Sequence, residues 1–168
     1  MKRRITLRMI TVSAVIAAIY VAVALAFEPI MFGPLQFRIP EALAVLPFIA
    51  PSTMFGLFIG CLIANIFGGF GLPDIVFGSL ATLLAGFLTS KMRNKWLAPV
   101  PPILINALVI GLMLAFLYGA EPMAEFPIFA LQVGIGQIGA CYALGMPLLF
   151  AVTKVKPLLN IFQNNNLE

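Results

Sequence analysis

The chain has 168 residues, 62% hydrophobic and 10% charged, with a formal charge of +4 and no histidine. A soluble domain carries roughly a quarter charged residues, so this composition excludes a water-coated globule. Without histidine, the Ser-His and Cys-His pairs and the usual zinc sets are excluded too.

The basic residues gather as Lys2, Arg3, Arg4 and Arg8, as Lys91, Arg93 and Lys95, and as Lys154 and Lys156, each cluster beside an apolar run. Cytoplasmic loop ends look like this under the positive-inside rule. The acids Glu28, Asp74, Glu121 and Glu125 fall in the other loops. The excess charge is therefore a topology signal, and no nucleic-acid partner is expected.

The first apolar run, Met9 to Phe27, follows a basic start and closes on Ala24-Leu25-Ala26, imitating a signal peptide. It exceeds the roughly 7–15 residues of a signal core and is long enough to span, so it is expected as helix one. Within it Ala14, Ala18, Ala22 and Ala26 recur every four residues. Such a ridge lets another helix approach closely, as an internal contact or as a docking face.

The uncharged run from Ala42 to Pro73 would make one helix roughly 45 Å long, too long for a core of about 30 Å. Pro47, Pro51 and Ser52 offer a break, because proline disrupts helix interiors and starts new helices. A tight hairpin turning near Pro51 places all nine clustered basic residues on one side. The expectation is an all-α polytopic membrane protein, one domain over 1–168, with both termini cytoplasmic. Its six helices would cover about 9–27, 40–50, 52–67, 74–91, 99–118 and 125–152.

A helix over 40–50 would rise only about 16 Å. Arg38 and Glu41 would then lie below the outer surface, with 33–37 a loop dipping into the protein, where non-helical backbone must line a cavity. Were the hairpin to turn inside the membrane, the pair would sit at the headgroups instead. Arg38, Glu41, Asn65, Asp74 and Gln132 fall in the outer half, with Gln137 deeper and Asn106 mid-helix. Ionisable groups inside a membrane protein usually face its interior and serve function, so the first five and Gln137 are the candidate ligand-binding residues. The plainer reading pairs Arg38 with Glu41 at i,i+3 and uses the amides to stitch helices.

Other patterns carry less. Gly134-Ile135-Gly136-Gln137-Ile138-Gly139 matches GxGxxG but is preceded by no strand, so it reads as close helix packing, as does Gly56 with Gly60. Cys61 and Cys141 read as small packing residues. Asp74 is the only aspartate, so no aspartyl dyad exists, and no GxxxxGK[ST] loop is present for ATP. No enzymatic activity, cofactor or metal is expected. Glu41 could instead serve as the coupling acid of a self-sufficient secondary transporter of a small polar solute.

"FGPLQFRIPEALAVLPF", "GLFIGCLIANIFGG" and "LPDIVFGSLATLLAGFLTSK" closely resemble the QueT family of queuosine-precursor transporters, and the likeness runs from roughly Ile5 to Lys156. These are substrate-binding S components of energy-coupling factor (ECF) transporters. The resemblance implies six helices and a pocket open to the outside. It implies docking of the transmembrane coupling subunit on an AxxxA pattern, matched by Ala14, Ala18 and Ala22. It further implies two cytoplasmic ATPases, residence in a bacterial plasma membrane, and a 7-deazaguanine substrate of the preQ0 or preQ1 kind. Against such a substrate, Glu41 suits the N–H edge, and Arg38, Asn65 or Gln132 a carbonyl. Asp74 suits an aminomethyl cation, and Phe32, Phe37, Phe70 and Tyr118 offer stacking faces.

Overall fold

The computed structural model describes residues 6–31, 37–68 and 70–163, and every element among them is helical. Helix α1 spans Leu7–Ala26, its start capped by the Thr6 hydroxyl, which accepts from the Met9 N–H at 3.3 Å. A short α2, Glu28–Met31, comes directly after it. Next come a 3-10 helix over Ile39–Phe48 and α3 over Thr53–Phe67. Helix α4 runs Gly71–Thr89 with a π-helical stretch at Asp74–Gly78. Helix α5 is Val100–Tyr118, and α6 runs Pro122–Lys154 with a second π stretch at Gly139–Gly145. Helix α7, Lys156–Gln163, ends the described chain.

Among the described residues, four helical stretches are long and apolar enough to cross a membrane: Leu7–Ala26, Gly71–Thr89, Lys95–Tyr118 and Pro122–Lys154. The other two apolar segments are shorter, at 10 and 15 residues. The first of them is a 3-10 helix, in place of the α-helical pitch expected from sequence. At about 2 Å per residue it rises about 20 Å, still less than a membrane core. The chain breaks after it at Pro51 and Ser52, while Pro47 stays inside the 3-10 helix, and the turn is tied down. Thr53 Oγ1 donates to the Ala50 carbonyl at 2.8 Å, and Ser13 Oγ donates to that of Ser52 at 3.0 Å.

The 3-10 helix is the hub. Pro40, Glu41, Leu43, Ala44, Val45, Leu46 and Pro47 are all buried, and the helix packs against α1, α3, α4 and α6. Its core partners include Tyr20, Leu57, Cys61, Met146 and Leu149. Glycines set the closest crossings. A Cβ at Gly56 would collide with the Ser13 carbonyl of α1, and one at Gly60 would stand 2.7 Å from Tyr20 Cβ. In lipid, where packing drives helix association, these two positions let α1 and α3 seat against each other. Ala14, Ala18, Ala22 and Ala26 point the other way and are exposed. The first three line a shallow apolar groove with Phe55, Ile59 and Ile63 of α3.

Candidate functional site

Arg38 caps the start of the 3-10 helix, and its backbone lies outside helical geometry (φ −77°, ψ 79°). That turn carries the side chain into the bundle, where it is fully buried. Nη2 donates to Asn65 Oδ1 at 2.8 Å and to Cys61 Sγ at 3.2 Å, while Nη1 faces Asp74 Oδ1 at 3.5 Å. Asn65 Nδ2 in turn donates to the Asp74 backbone carbonyl at 2.8 Å. Asn65 thus holds both the cation and the aspartate side of the cluster, and both ends of its amide are engaged.

Asp74 opens the π stretch of α4, a distortion often found at functional positions. Gly78 closes it. A Cβ there would stand 2.5 Å from Asp74 Oδ1 and 2.7 Å from Asn65 Nδ2, so only glycine leaves the cluster room. One turn on, Thr82 joins it to Glu41.

Glu41 does not pair with Arg38 by an ion pair, as the i,i+3 spacing allowed. Its Oε1 accepts from the Tyr20 hydroxyl at 2.8 Å and from Thr82 Oγ1 at 3.2 Å. Thr82 Oγ1 also lies 3.3 Å from Cys61 Sγ, linking the two halves. On the far side Cys141 Sγ lies 3.5 Å from both the Glu41 carbonyl and Gln137 Oε1. Arg38, Glu41, Asn65, Asp74 and Gln137 therefore form one buried network across the 3-10 helix, α3, α4 and α6, with Tyr20 supplied by α1.

Gln132 is half-buried and no hydrogen bond among the described residues joins it to this network. Five helical steps place it about 140° round α6 from Gln137. Of the aromatic candidates, Phe37 packs on Gly139, and Phe70 meets Tyr118 edge-on at 5.8 Å. Phe32, like the expected loop at 33–36, lies outside the described residues. Tyr20, Thr82 and the two cysteines are additions. The sequence reads both thiols as packing, yet Cys61 is a hydrogen-bonding bridge at the centre of the cluster. Its i,i+4 spacing from Asn65 is the one signal that points to this role.

Two features of the cluster bear on what it can do chemically. It sets one guanidinium against two carboxyl groups, an excess of acid in a water-poor interior. And Arg38 Nε, Glu41 Oε2, Asp74 Oδ2 and Gln137 Nε2 have no hydrogen-bond partner among the described residues. A buried polar atom left so costs about 1–3 kcal/mol, which demands an explanation beyond packing.

Residues 10–154 match the family described as QueT transporter. The chain belongs to that family. It is also 35% identical over 86 residues to the queuosine precursor transporter QueT of Lactococcus lactis subsp. cremoris (strain MG1363), and the match covers 50% of each chain. The chain thus spans about half the length of the curated relative it matches. No solved structure matches it. Family and apolar helices together make this a multi-pass membrane protein of a transporter family.

Proposed function

We propose that this chain is the membrane-embedded binding subunit for uptake of a small micronutrient, a 7-deazaguanine queuosine precursor, into the bacterial cell. The observation that carries the reading is the buried acid-rich cluster, with donors and acceptors left open on four of its side chains. A flat heterocycle bearing N–H donors, a carbonyl and an aminomethyl cation matches that set. Glu41 Oε2 accepts from the N–H edge, Gln137 Nε2 and Arg38 Nε donate to the ring acceptors, and Asp74 Oδ2 meets the cation. Asn65, with both ends of its amide engaged, acts by positioning Arg38 and Asp74. The excess carboxyl favours the aminomethyl (preQ1) over the neutral nitrile (preQ0) form.

In this reading the protein is no enzyme and crosses the plasma membrane six times with both termini cytoplasmic. The 39–67 hairpin supplies the two spans beyond the four long helices. Having no phosphate loop, the chain takes its energy from an ECF coupling subunit and two ATPases. The coupling subunit docks on Ala14, Ala18 and Ala22, which are exposed along an apolar groove.

Titration calorimetry of the purified protein with both deazaguanines tests the substrate. Binding of preQ1 well above preQ0 is expected, and equal binding would remove the charge argument. Reconstituted alone in vesicles, the protein should bind but not accumulate substrate. Accumulation driven by a proton gradient would instead make it a secondary transporter with Glu41 as coupling acid.

A further inference from the structure

Asn106 is fully buried on α5, and neither Oδ1 nor Nδ2 has a hydrogen-bond partner among the described residues. Its helix face, with Ile103, Ile110 and Met113, is the inward one, while Leu104, Leu108 and Leu112 are exposed. Contacts on either side fix its depth. Gly111 packs on Ala130 and Gly134 on Ala107, so antiparallel register sets Asn106 level with Ile135, within a turn of Gln137. On the other side Thr89 Oγ1 bonds the Ala98 carbonyl, and Phe77 lies among Leu108, Val109 and Leu112. That register sets Asn106 level with Ala81 and Thr82. The buried, unpartnered amide is therefore level with Thr82 on α4 and within a turn of the level of Gln137 on α6, the two helices that flank Glu41.

We propose that Asn106 is a specificity-determining residue of the binding site, its amide reading a ring edge that presents one N–H donor beside one carbonyl acceptor. The proposal rests on the deazaguanine reading and deepens it. A primary amide offers an acceptor and a donor side by side, and the lactam edge of a 6-oxo base offers the complement. An amide free at both ends can turn over, so the orientation it reads is set by its neighbour. Gln137 Nε2, a second unpartnered donor within a turn, has no acceptor to offer there, since its Oε1 faces Cys141, and calls for a ligand carbonyl on that side. Glu41, with one free oxygen, then takes the exocyclic amine. A buried amide maintained for folding would be hydrogen-bonded within the protein; this one has no such partner at either end among the described residues.

The test uses the purified full chain, preQ1, and its analogue in which the 6-oxo group is an amine, which inverts the lactam pattern. Wild type should prefer preQ1, and Asn106→Leu should lose roughly 10- to 100-fold in preQ1 affinity, the scale of one bidentate amide contact. The preference between the two compounds should narrow with it, while the melting temperature without ligand holds or rises. Asn106→Ala, which removes the amide without adding a charge, gives the same reading should the leucine variant fail to fold. Unchanged affinity and preference in a folded variant would overturn the role of Asn106 alone. A lowered melting temperature with preference intact would make the amide structural and overturn it equally. If wild type binds neither compound, the ligand class itself is wrong and this inference falls with it.

Discussion

Replacing Arg38 with methionine is the sharpest perturbation of the cluster. The guanidinium faces Asp74 at 3.5 Å and bonds Asn65 at 2.8 Å, with no exposure to water. At an effective dielectric of about 20, two unit charges at that separation attract by about 5 kcal/mol before desolvation. Removing one partner of such a buried pair leaves the other charge uncompensated and costs about 3–5 kcal/mol. Arg38→Met should therefore lose most of that amount. Asp74→Asn strands the buried Arg38 charge in turn and should also cost up to about 3–5 kcal/mol, less what the amide oxygen recovers. The double variant should be more stable than the sum of the two losses implies, by about 1–3 kcal/mol, because the stranded carboxylate is gone. Equilibrium unfolding of the four purified proteins in one detergent closes the cycle. Strict additivity, or an Arg38→Met protein as stable as wild type, would refute the claim that Asp74 depends on this cation.

Glu41→Gln should preserve the fold, since its carbonyl can still accept from Tyr20 and Thr82, yet lose about 2–5 kcal/mol of ligand binding by calorimetry; unchanged affinity would remove Glu41 from the site. Gly78→Ala should push Asp74 off Asn65 and lower both melting temperature and ligand affinity, whereas a neutral result would mean the π stretch yields easily. Ala18→Trp should leave ligand binding by the solitary protein intact and abolish co-purification with the coupling subunit; the reverse pattern would place the ridge against the pocket.

Much of the helical layout was legible because membrane spans are written in long apolar runs and charge placement. The break near Pro51 was legible because proline removes a donor that a continuous helix needs. Arg38, Glu41, Asn65, Asp74 and Gln137 could be singled out because polar side chains are rare and expensive in such a chain. Their partners could not. Arg38 is a cap residue in non-helical geometry, so i,i+3 spacing to Glu41 said nothing about where its side chain goes. Tyr20 and Thr82 are hydroxyls on otherwise apolar helices, where nothing in periodicity separates a buried partner from a lipid-facing neighbour. Gln132, in the outer half, and the deeper Gln137 both read as candidates, and the angle around α6 adds a separation that depth did not supply. The two π stretches, each rotating the residues beyond it to a new facing, leave no mark that spacing rules detect.

The way Arg38 is partnered bears on whether the cluster is mere stitching. A cation present only to neutralise two acids would sit between them, where it is attracted to both. Here the guanidinium's shortest bond is to the neutral Asn65, its aspartate contact is long at 3.5 Å, and Glu41 is held by two hydroxyls. Each acid also retains one oxygen without a partner among the described residues. The two hydroxyls hold Glu41 without an ion pair and fix the position of its free oxygen. Glu41 is thus fixed by neutral hydroxyls rather than by the cation, while the Asp74 carboxylate has Arg38 as its one hydrogen-bond partner among the described residues. In the binding reading proposed above, a ligand cation would meet acceptors already in position and lose little in ordering them.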